Sequence, residues 1–537
     1  MRGDLLWGTT PRLVRRAAET FAGRPAVVDG DLTLSYEDLA AAVEQAARAI
    51  VAAGLQAGDR AAIWAPNLHE WIVAALGLHS AGGVLIPVNT RFKGHEAGDI
   101  LDRGEARLLF TVTDFLDTDY VALLRSAYGD AEGDRPVGGL PRLERVVVLR
   151  GEVAPGCESW IDFLRHGDQT PTEVVDARAM AVGPDDLSDI LFTSGTTGRP
   201  KGVMTAHGQN LRAFRDWAEV VGLREGDRYL IVNPFFHAFG YKAGILASLM
   251  MGATIHPQLV LDVPQVMERV ARERITTLPG APTLYQTILN HPDFATFDLS
   301  SLRLAVTGAA AIPVELILRM RRELHFENII TGYGLTESCG IATMCRYDDD
   351  PETIATTSGR AIPDLEVRCV DGDGVEVPRG APGELVIRGY TVMRGYLDDE
   401  VETAATIDSD GWLHTGDIAE MDDAGYVRIT DRTKDMFIVG GFNAYPAEIE
   451  NLMLANEAIA QVAVIGIPDE RMGEVGMAFV VPRPGASIDP DELIAWSRER
   501  MANYKAPRRV AVVEALPLNA TGKVLKYELR EQARQDS

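Results

Sequence analysis

The sequence predicts an α/β protein: a large N-terminal domain of doubly wound sheets plus a small β layer or barrel, followed by a small mobile α+β C-terminal domain. Three observations predict it. Short apolar runs alternate with helix-length segments through the first 330 or so residues, the alternation of mostly parallel, doubly wound sheets. After about residue 360 the text changes to short β segments broken by Gly, Pro and Asp turns (VDGDGVEVPRGAPGELVIRG). The last hundred or so residues change again, to helix, two strands, helix and strand.

Taken in order, SYEDLAAAVEQAARAIVAAG from Ser35 places an N-cap serine before acids. Apolar residues follow at Leu39, Val43, Ala46, Ala47 and Ile50, with Gly54 as the stop, so an amphipathic helix is expected there. Strands are expected at 61–64, 82–88, 107–111, 145–149, 189–193, 229–232, 302–307 and 328–331. In the C-terminal part, AEIENLMLA and DPDELIAWSRERMA read as helices, and AQVAVIGI, GMAFVVP and RRVAVVE as strands. The domains are placed at 1–432 and 433–537, joined near DRTKD at 431–435.

Composition narrows the function classes. The 537 residues, 46% apolar and 24% charged, lie in the globular range. The 52 basic against 78 acidic residues leave a formal charge of −26. A field of that sign repels phosphate backbones and anionic headgroups, so neither nucleic acid nor membrane insertion is expected. Cys157, Cys339, Cys345 and Cys369 lack C-x-x-C spacing, which argues against a zinc site or disulfide framework and for a reducing cytoplasm. The opening MRGDLLWGTTPRLVRR does not read as a secretory signal. The apolar stretches at 71–88 and 243–255 are, respectively, interrupted and too short to span a bilayer.

Strand-forming DILF runs into TSGTTGRPKG at 193–202, which concentrates hydroxyls, glycines and one lysine on a turn leaving the sheet. Such a loop can wrap an oxyanion. Gly195 and Gly198 let backbone N–H groups approach phosphate, Thr193, Ser194, Thr196 and Thr197 donate, and Lys201 adds charge. A plain surface turn is the alternative, and the missing G-K-[ST] rules out a Walker A loop.

These ten positions resemble the signature loop of the adenylate-forming superfamily: acyl-CoA synthetases, peptide-synthetase adenylation domains and beetle luciferases. The resemblance continues in order through NPFFHAFG (233–240), GYGLTE (332–337), GWLHTGD (411–417), DRTKDMFIVGGFNAYPAEIE (431–450) and PLNATGKVLK (517–526). It implies attack of a carboxylate on the α-phosphate of ATP, giving an acyl-adenylate and pyrophosphate, then thioester formation with coenzyme A. Two anions must meet in the first step, so cations and fixed donors have to override the global negative field.

By the same resemblance, Lys523 is the adenylation lysine carried by the lid, and Glu337 holds Mg2+ with Thr336 beside it. One carboxylate plus nucleotide phosphates is a usual way to hold that ion. Asp417 accepts the ribose hydroxyls and Arg432 supports the same sugar. Tyr333, Gly334 and the small residues Gly308, Ala309 and Ala310 flank the nucleotide base. Lys434 is the hinge on which the lid pivots, and Gly440, Gly441 and Phe442 line the pantetheine channel. Lys505 and Arg508 are candidates for the CoA phosphates, with solvated surface charges as the alternative. His237 stands as a gate beside the acyl carbon.

Phe239, Lys242, Ala243 and Gly332 would wall the acyl pocket, and Lys242 starts an otherwise apolar helix (241–246) where a lysine is odd. Lys242 either snorkels to solvent or meets a ketone or other polar group of a bulky substrate. FFHAFGYKAG and ATMCR (342–346) resemble ligases acting on hexahydroindane-dione propionates, the steroid ring remnants of actinobacterial sterol catabolism. The expectation is an AMP-forming acid–thiol ligase of lipid metabolism, with a small-molecule acid, ATP and CoA as partners and a homodimer left open. Medium-chain or aromatic acids are the alternative substrates. Rival readings are a stand-alone amino-acid adenylation domain, disfavoured by Phe235-Phe236 where an aspartate would hold an amine, a luciferase-like oxidation without positive sign, and a catalytically silent acyl-nucleotide-binding relative.

Overall fold

A computed structural model describes the chain except residues 1–7, 134, 194–199, 309–311, 433–436, 440–441, 445, 470, 502, 519–523 and 536–537. The side chains of residues 431, 432, 438, 442, 443, 448 and 535 are likewise not described.

The helix expected after Ser35 is Tyr36–Ala52, and its start is closed reciprocally. Ser35 Oγ accepts from Asp38 N, and the Asp38 carboxylate accepts from Ser35 N. That arrangement satisfies two of the N–H groups a helix start leaves without partners. The buried stripe Leu39, Val43, Ala46, Ala47 and Ile50 lies against helix His69–Ser80. The two helices meet so closely that a Cβ at Gly77 would lie 2.7 Å from Ala46 Cβ.

An eight-stranded sheet carries these helices. Edge to edge it runs Gly395–Tyr396, Lys201–Ala206, Leu187–Thr193, Val84–Pro87, Arg60–Trp64, Ala106–Val112, Arg145–Arg150 and Glu158–Ser159. From Leu187–Thr193 onward the pairing is parallel, whereas Lys201–Ala206 folds back antiparallel to form the hairpin that encloses the glycine-rich segment. A second layer joins Arg228–Ile231, Thr254–Pro257, Pro25–Asp29 and Leu32–Ser35. Thr277 bridges Tyr229 on one side and Leu304 on the other, linking this layer to the parallel pair Leu304–Gly308 and Asn328–Tyr333.

Beyond residue 360 the small layer is an antiparallel sheet of Glu366–Val370, Gly383–Arg388, Leu413–Met421 and Val427–Arg432. A separate apolar cluster, with Phe437, Ile449, Val464, Phe479 and Leu529 in its interior, organises the C-terminal five-stranded sheet and the helices Pro446–Met453, Pro490–Arg500 and Lys526–Gln535. The α/β class and its three-part layout therefore match the sequence expectation.

One element differs in kind. The apolar helix expected near 241–246 is a π-helix, Phe239–Leu246, running into a short α-helix at Ala247–Met251. A widened turn leaves no mark in apolar periodicity. Its glycines pack at very short range: a Cβ at Gly240 would lie 2.2 Å from Pro234 O, and one at Gly244 2.8 Å from Ile231 Cδ1.

Four histidines set an acid limit on this core. Burial holds His79 down at about 4, with Asp189 only partly opposing, and it lowers His207 well below the usual value, helped by His79. Burial and the Lys242 ammonium hold His237 at about 4, and burial lowers His256 although Glu273 opposes. These groups take up protons more readily in the unfolded chain. Their stabilisation is complete above the ordinary histidine pKa of about 6.5 and is lost as pH falls from there toward 4. The expected result is an unfolding temperature that drops on going from pH 7.5 to pH 5 in a thermal melt series; a flat or rising midpoint would contradict it.

Candidate active site

The hairpin register pairs Thr193 with Lys201, so the segment between them leaves the sheet at the carboxyl end of Leu187–Thr193. Ser194, Gly195, Thr196, Thr197 and Gly198 lie outside the described residues. On the neighbouring layer, parallel pairing sets Gly308 opposite Gly332, and Tyr333 ends its strand one residue later. Backbones come together too closely there for side chains. A Cβ at Gly308 would lie 3.0 Å from Gly332 O, and one at Gly334 2.4 Å from Ile341 Cα. Ala309 and Ala310 are outside the described residues.

After Gly334 a short 3-10 turn, Thr336–Ser338, presents Glu337. Tyr396 fixes that carboxylate: its hydroxyl donates to Glu337 Oε1 at 2.9 Å, while Glu337 O accepts from Met393 N at 2.8 Å. Among the described residues nothing donates to Oε2. A half-exposed carboxylate with one oxygen anchored and one open suits a hard divalent cation whose remaining ligands are phosphate oxygens and water. The same Tyr396 ring lies 5.1 Å from Lys201 Nζ, so loop lysine and acid meet on one aromatic side chain. Tyr396 carried no motif signal and was missed in the sequence; antiparallel pairing of Tyr396 with Val203 brings it here.

Tyr333 and Asp417, assigned separately to base and ribose, are joined directly, the Tyr333 hydroxyl donating to Asp417 Oδ2. Asp417 is buried, on Leu413–Met421, and sits in register opposite Arg432. The Arg432 side chain, Lys434, Gly440, Gly441 and Lys523 are not among the described features, and of Phe442 only the backbone is, in strand Phe442–Ala444. Lys505 lies over the Tyr504 ring at 5.6 Å, and Arg508 N donates to Gly476 O at 2.7 Å, so both sit on the C-terminal unit.

His237 precedes the π-helix that carries Phe239, Lys242 and Ala243. Its Nδ1 accepts from Phe239 N at 3.2 Å, which fits a neutral ring with its proton on Nε2. Ala243 is buried and Phe239 half-buried. Cys339, two residues after Glu337, is fully buried, and burial pushes its thiol up to about 12, away from the thiolate form that a nucleophile needs.

Lys242 corrects the expectation that it snorkels. Its side chain is 0% exposed, and Nζ lies 3.0 Å from Asp189 Oδ1 and 3.0 Å from Thr205 Oγ1. Asp189 also accepts from Thr205 Oγ1 at 2.7 Å and from Asn210 Nδ2 at 2.5 Å. The ammonium is thus committed to the strand that leads into the glycine-rich loop, because a charge so deep in the core is tolerated only with a paired, hydrogen-bonded partner.

Among the described residues one further grouping has metal-ligand types, Asp29, His69 and Glu70. A guanidinium fills it: Arg150 Nη2 lies 2.7 Å from Asp29 Oδ2 and 2.8 Å from Glu70 Oε2. Burial alone would raise the Asp29 carboxyl, yet the bonds from His69 and Arg150 hold it down at about 2.

Comparison with known proteins agrees with this layout. Residues 14–397 match the family model described as AMP-binding enzyme, and 448–523 that of the AMP-binding enzyme C-terminal domain. The 3-[(3aS,4S,7aS)-7a-methyl-1,5-dioxo-octahydro-1H-inden-4-yl]propanoyl:CoA ligase of Rhodococcus jostii (strain RHA1) is 51% identical over 98% of this chain and 98% of its own. The protein of the same description in Mycobacterium tuberculosis (strain ATCC 25618 / H37Rv) is 49% identical over 97% of this chain and 98% of its own. The crystal structure of the anthranilate CoA ligase AuaEII in complex with anthranoyl-AMP superimposes with a TM-score of 0.87 at 28% identity, covering 99% of both chains.

Proposed function

The chain belongs to the AMP-binding enzyme family, and from that premise we propose that it activates a steroid-derived bicyclic propionate, with the two ring ketones intact, as its CoA thioester. It is an AMP-forming acid–thiol ligase using ATP and CoA. The observation that carries the substrate is identity of about one half, end to end, with two ligases named for that acid.

The chemistry has two steps. A carboxylate oxygen attacks the α-phosphorus of ATP, the bond to the bridging oxygen breaks, and pyrophosphate leaves with the electron pair. The CoA sulfur then attacks the acyl carbon, AMP departs, and the thiol proton goes to solvent. Both steps concentrate negative charge, and stabilising it at phosphorus calls for preorganised donors and cations. Lys201 and the loop at 193–202 are assigned to the polyphosphate, Asp417 to the ribose with Tyr333 holding its carboxylate, and Glu337 to Mg2+, which would screen the phosphates when bound. Lys523 is assigned to the carboxylate and α-phosphate, on a lid (433–537) that pivots at Lys434 away from a body (1–432). Neutral His237 is assigned to the mouth of the acyl site, where it adds no charge to repel or capture the carboxylate. Cytoplasmic location belongs to the same proposal; among the described residues no helix is long and apolar enough to cross a membrane.

The paired state of Lys242 bears on substrate choice. With its ammonium held by Asp189, recognition of the ring ketones is assigned to groups other than this charge. Testing is direct: acid-dependent CoA consumption is measured across bicyclic dione propionate, medium-chain and aromatic acids. The expected result is the largest kcat/KM for the bicyclic acid; preference for a straight-chain or aromatic acid would overturn the substrate assignment. In the same assay Asp417→Ala should raise KM for ATP by about 10- to 100-fold, the value of a lost hydrogen bond to a charged group. An unchanged KM for ATP would remove Asp417 from the nucleotide site.

A further inference from the structure

Glu402 belongs to none of the motifs above, yet its Oε1 accepts a hydrogen bond from Nζ of Lys201, 201 residues away in the chain. The Lys201 side chain is 15% exposed and that of Glu402 39%. An ammonium so withdrawn from water requires an anionic partner, and Glu402 supplies it. The surroundings are asymmetric. On the lysine side the platform is fixed, since the Tyr396 hydroxyl donates to Glu337 at 2.9 Å and its strand pairs with Val203. Glu402 instead sits on the surface helix Glu400–Thr406, beside Val401 at 84% exposure, so its carboxylate has water to turn into.

We propose that Glu402 is an internal stand-in for the polyphosphate: it neutralises and positions Lys201 before nucleotide binds and is exchanged for a phosphate oxygen when ATP arrives. This rests on reading the 193–202 loop as a phosphate cradle. Both partners offer the ammonium the same thing, an anionic oxygen in a poorly hydrated place, so the exchange is near balance. What it costs is the broken carboxylate bond, subtracted from every polyphosphate that binds. A like-shaped amide at 402 removes that competition without emptying the space. The steady-state signature is a fall in KM for ATP with kcat retained, because the carboxylate is displaced in ground state and transition state alike.

The experiment uses the full chain and compares native protein with Glu402→Gln in calorimetric titrations of ATP, tripolyphosphate and adenosine, together with ATP–pyrophosphate exchange kinetics. Glu402→Gln should bind ATP and tripolyphosphate about three- to tenfold more tightly, leave adenosine unchanged, and lower KM for ATP while keeping kcat. In a Lys201→Gln background the gain should vanish, since the competitor no longer has a lysine to occupy. Unchanged or weaker binding in Glu402→Gln, a gain that extends to adenosine, or one that survives Lys201→Gln would overturn the exchange. A native chain that binds no ATP would contradict the phosphate-cradle reading itself, and the exchange with it. Normal ATP binding with no response at Glu402 contradicts the exchange alone.

Discussion

Lys523→Ala lowers acid-dependent ATP–pyrophosphate exchange by about 10²–10³-fold while leaving conversion of a supplied acyl-adenylate to its thioester largely intact. The asymmetry is the point. In the first half-reaction a carboxylate approaches a phosphate, and a lysine ammonium offered to both offsets their repulsion as charge develops at phosphorus; losing one such preorganised donor costs on this scale. In the second, a neutral or weakly charged nucleophile meets an adenylate already formed, and the proposed turn of the lid would present the segment at 440–442 instead. Exchange kinetics with bicyclic dione propionate, set beside single-turnover thioester formation from synthetic acyl-adenylate, read the two steps apart. Equal loss in both would remove the two-faced lid from the mechanism.

Lys242→Met has the largest expected effect on stability. It leaves the Asp189 carboxylate fully buried, with Thr205 and Asn210 still directed at it but no counter-charge. Breaking a buried pair in this way costs about 3–5 kcal/mol. For a chain of this size the unfolding midpoint should fall by about 3–4 °C. Adding Asp189→Asn, which removes the orphaned charge while keeping an acceptor for Thr205, should recover most of the loss. A single variant as stable as the native protein, or a double variant worse than the single, would show that the pair is not what stabilises the strand leading into the 193–202 loop.

How much of this was legible in the sequence follows from the range of the forces involved. The helix after Ser35 could be read in full because its cap, its acids and its apolar stripe lie within twenty or so consecutive residues, and the structure reproduces each of them. The switch at about residue 360 was equally visible, since turn residues in tight succession mark an antiparallel layer locally. The reaction family was readable for a different reason: six separate motifs recur in one order. Side-chain partnerships across long separations were not readable. Tyr396 and Glu402 meet Glu337 and Lys201 only through strand pairing and loop return, and no local pattern reports that. Lys242 was noticed as anomalous, but its partner sits on another strand, so the sequence supported solvent or substrate as its destination while the fold supplied Asp189. The π-helix escaped for a third reason: apolar residues on every side of an element erase the period by which one helix type is told from another.

The central claim is that this chain builds an acyl-adenylate before the thiol enters. Rapid quenching of full-length protein mixed with ATP, Mg2+ and bicyclic dione propionate, without CoA, followed by mass spectrometry, tests it most directly. One acyl-adenylate per site should accumulate together with pyrophosphate, and a CoA chase should convert it to thioester and AMP. Neither pyrophosphate nor adenylate until CoA is added, or pyrophosphate release that does not depend on the acid, would contradict the account.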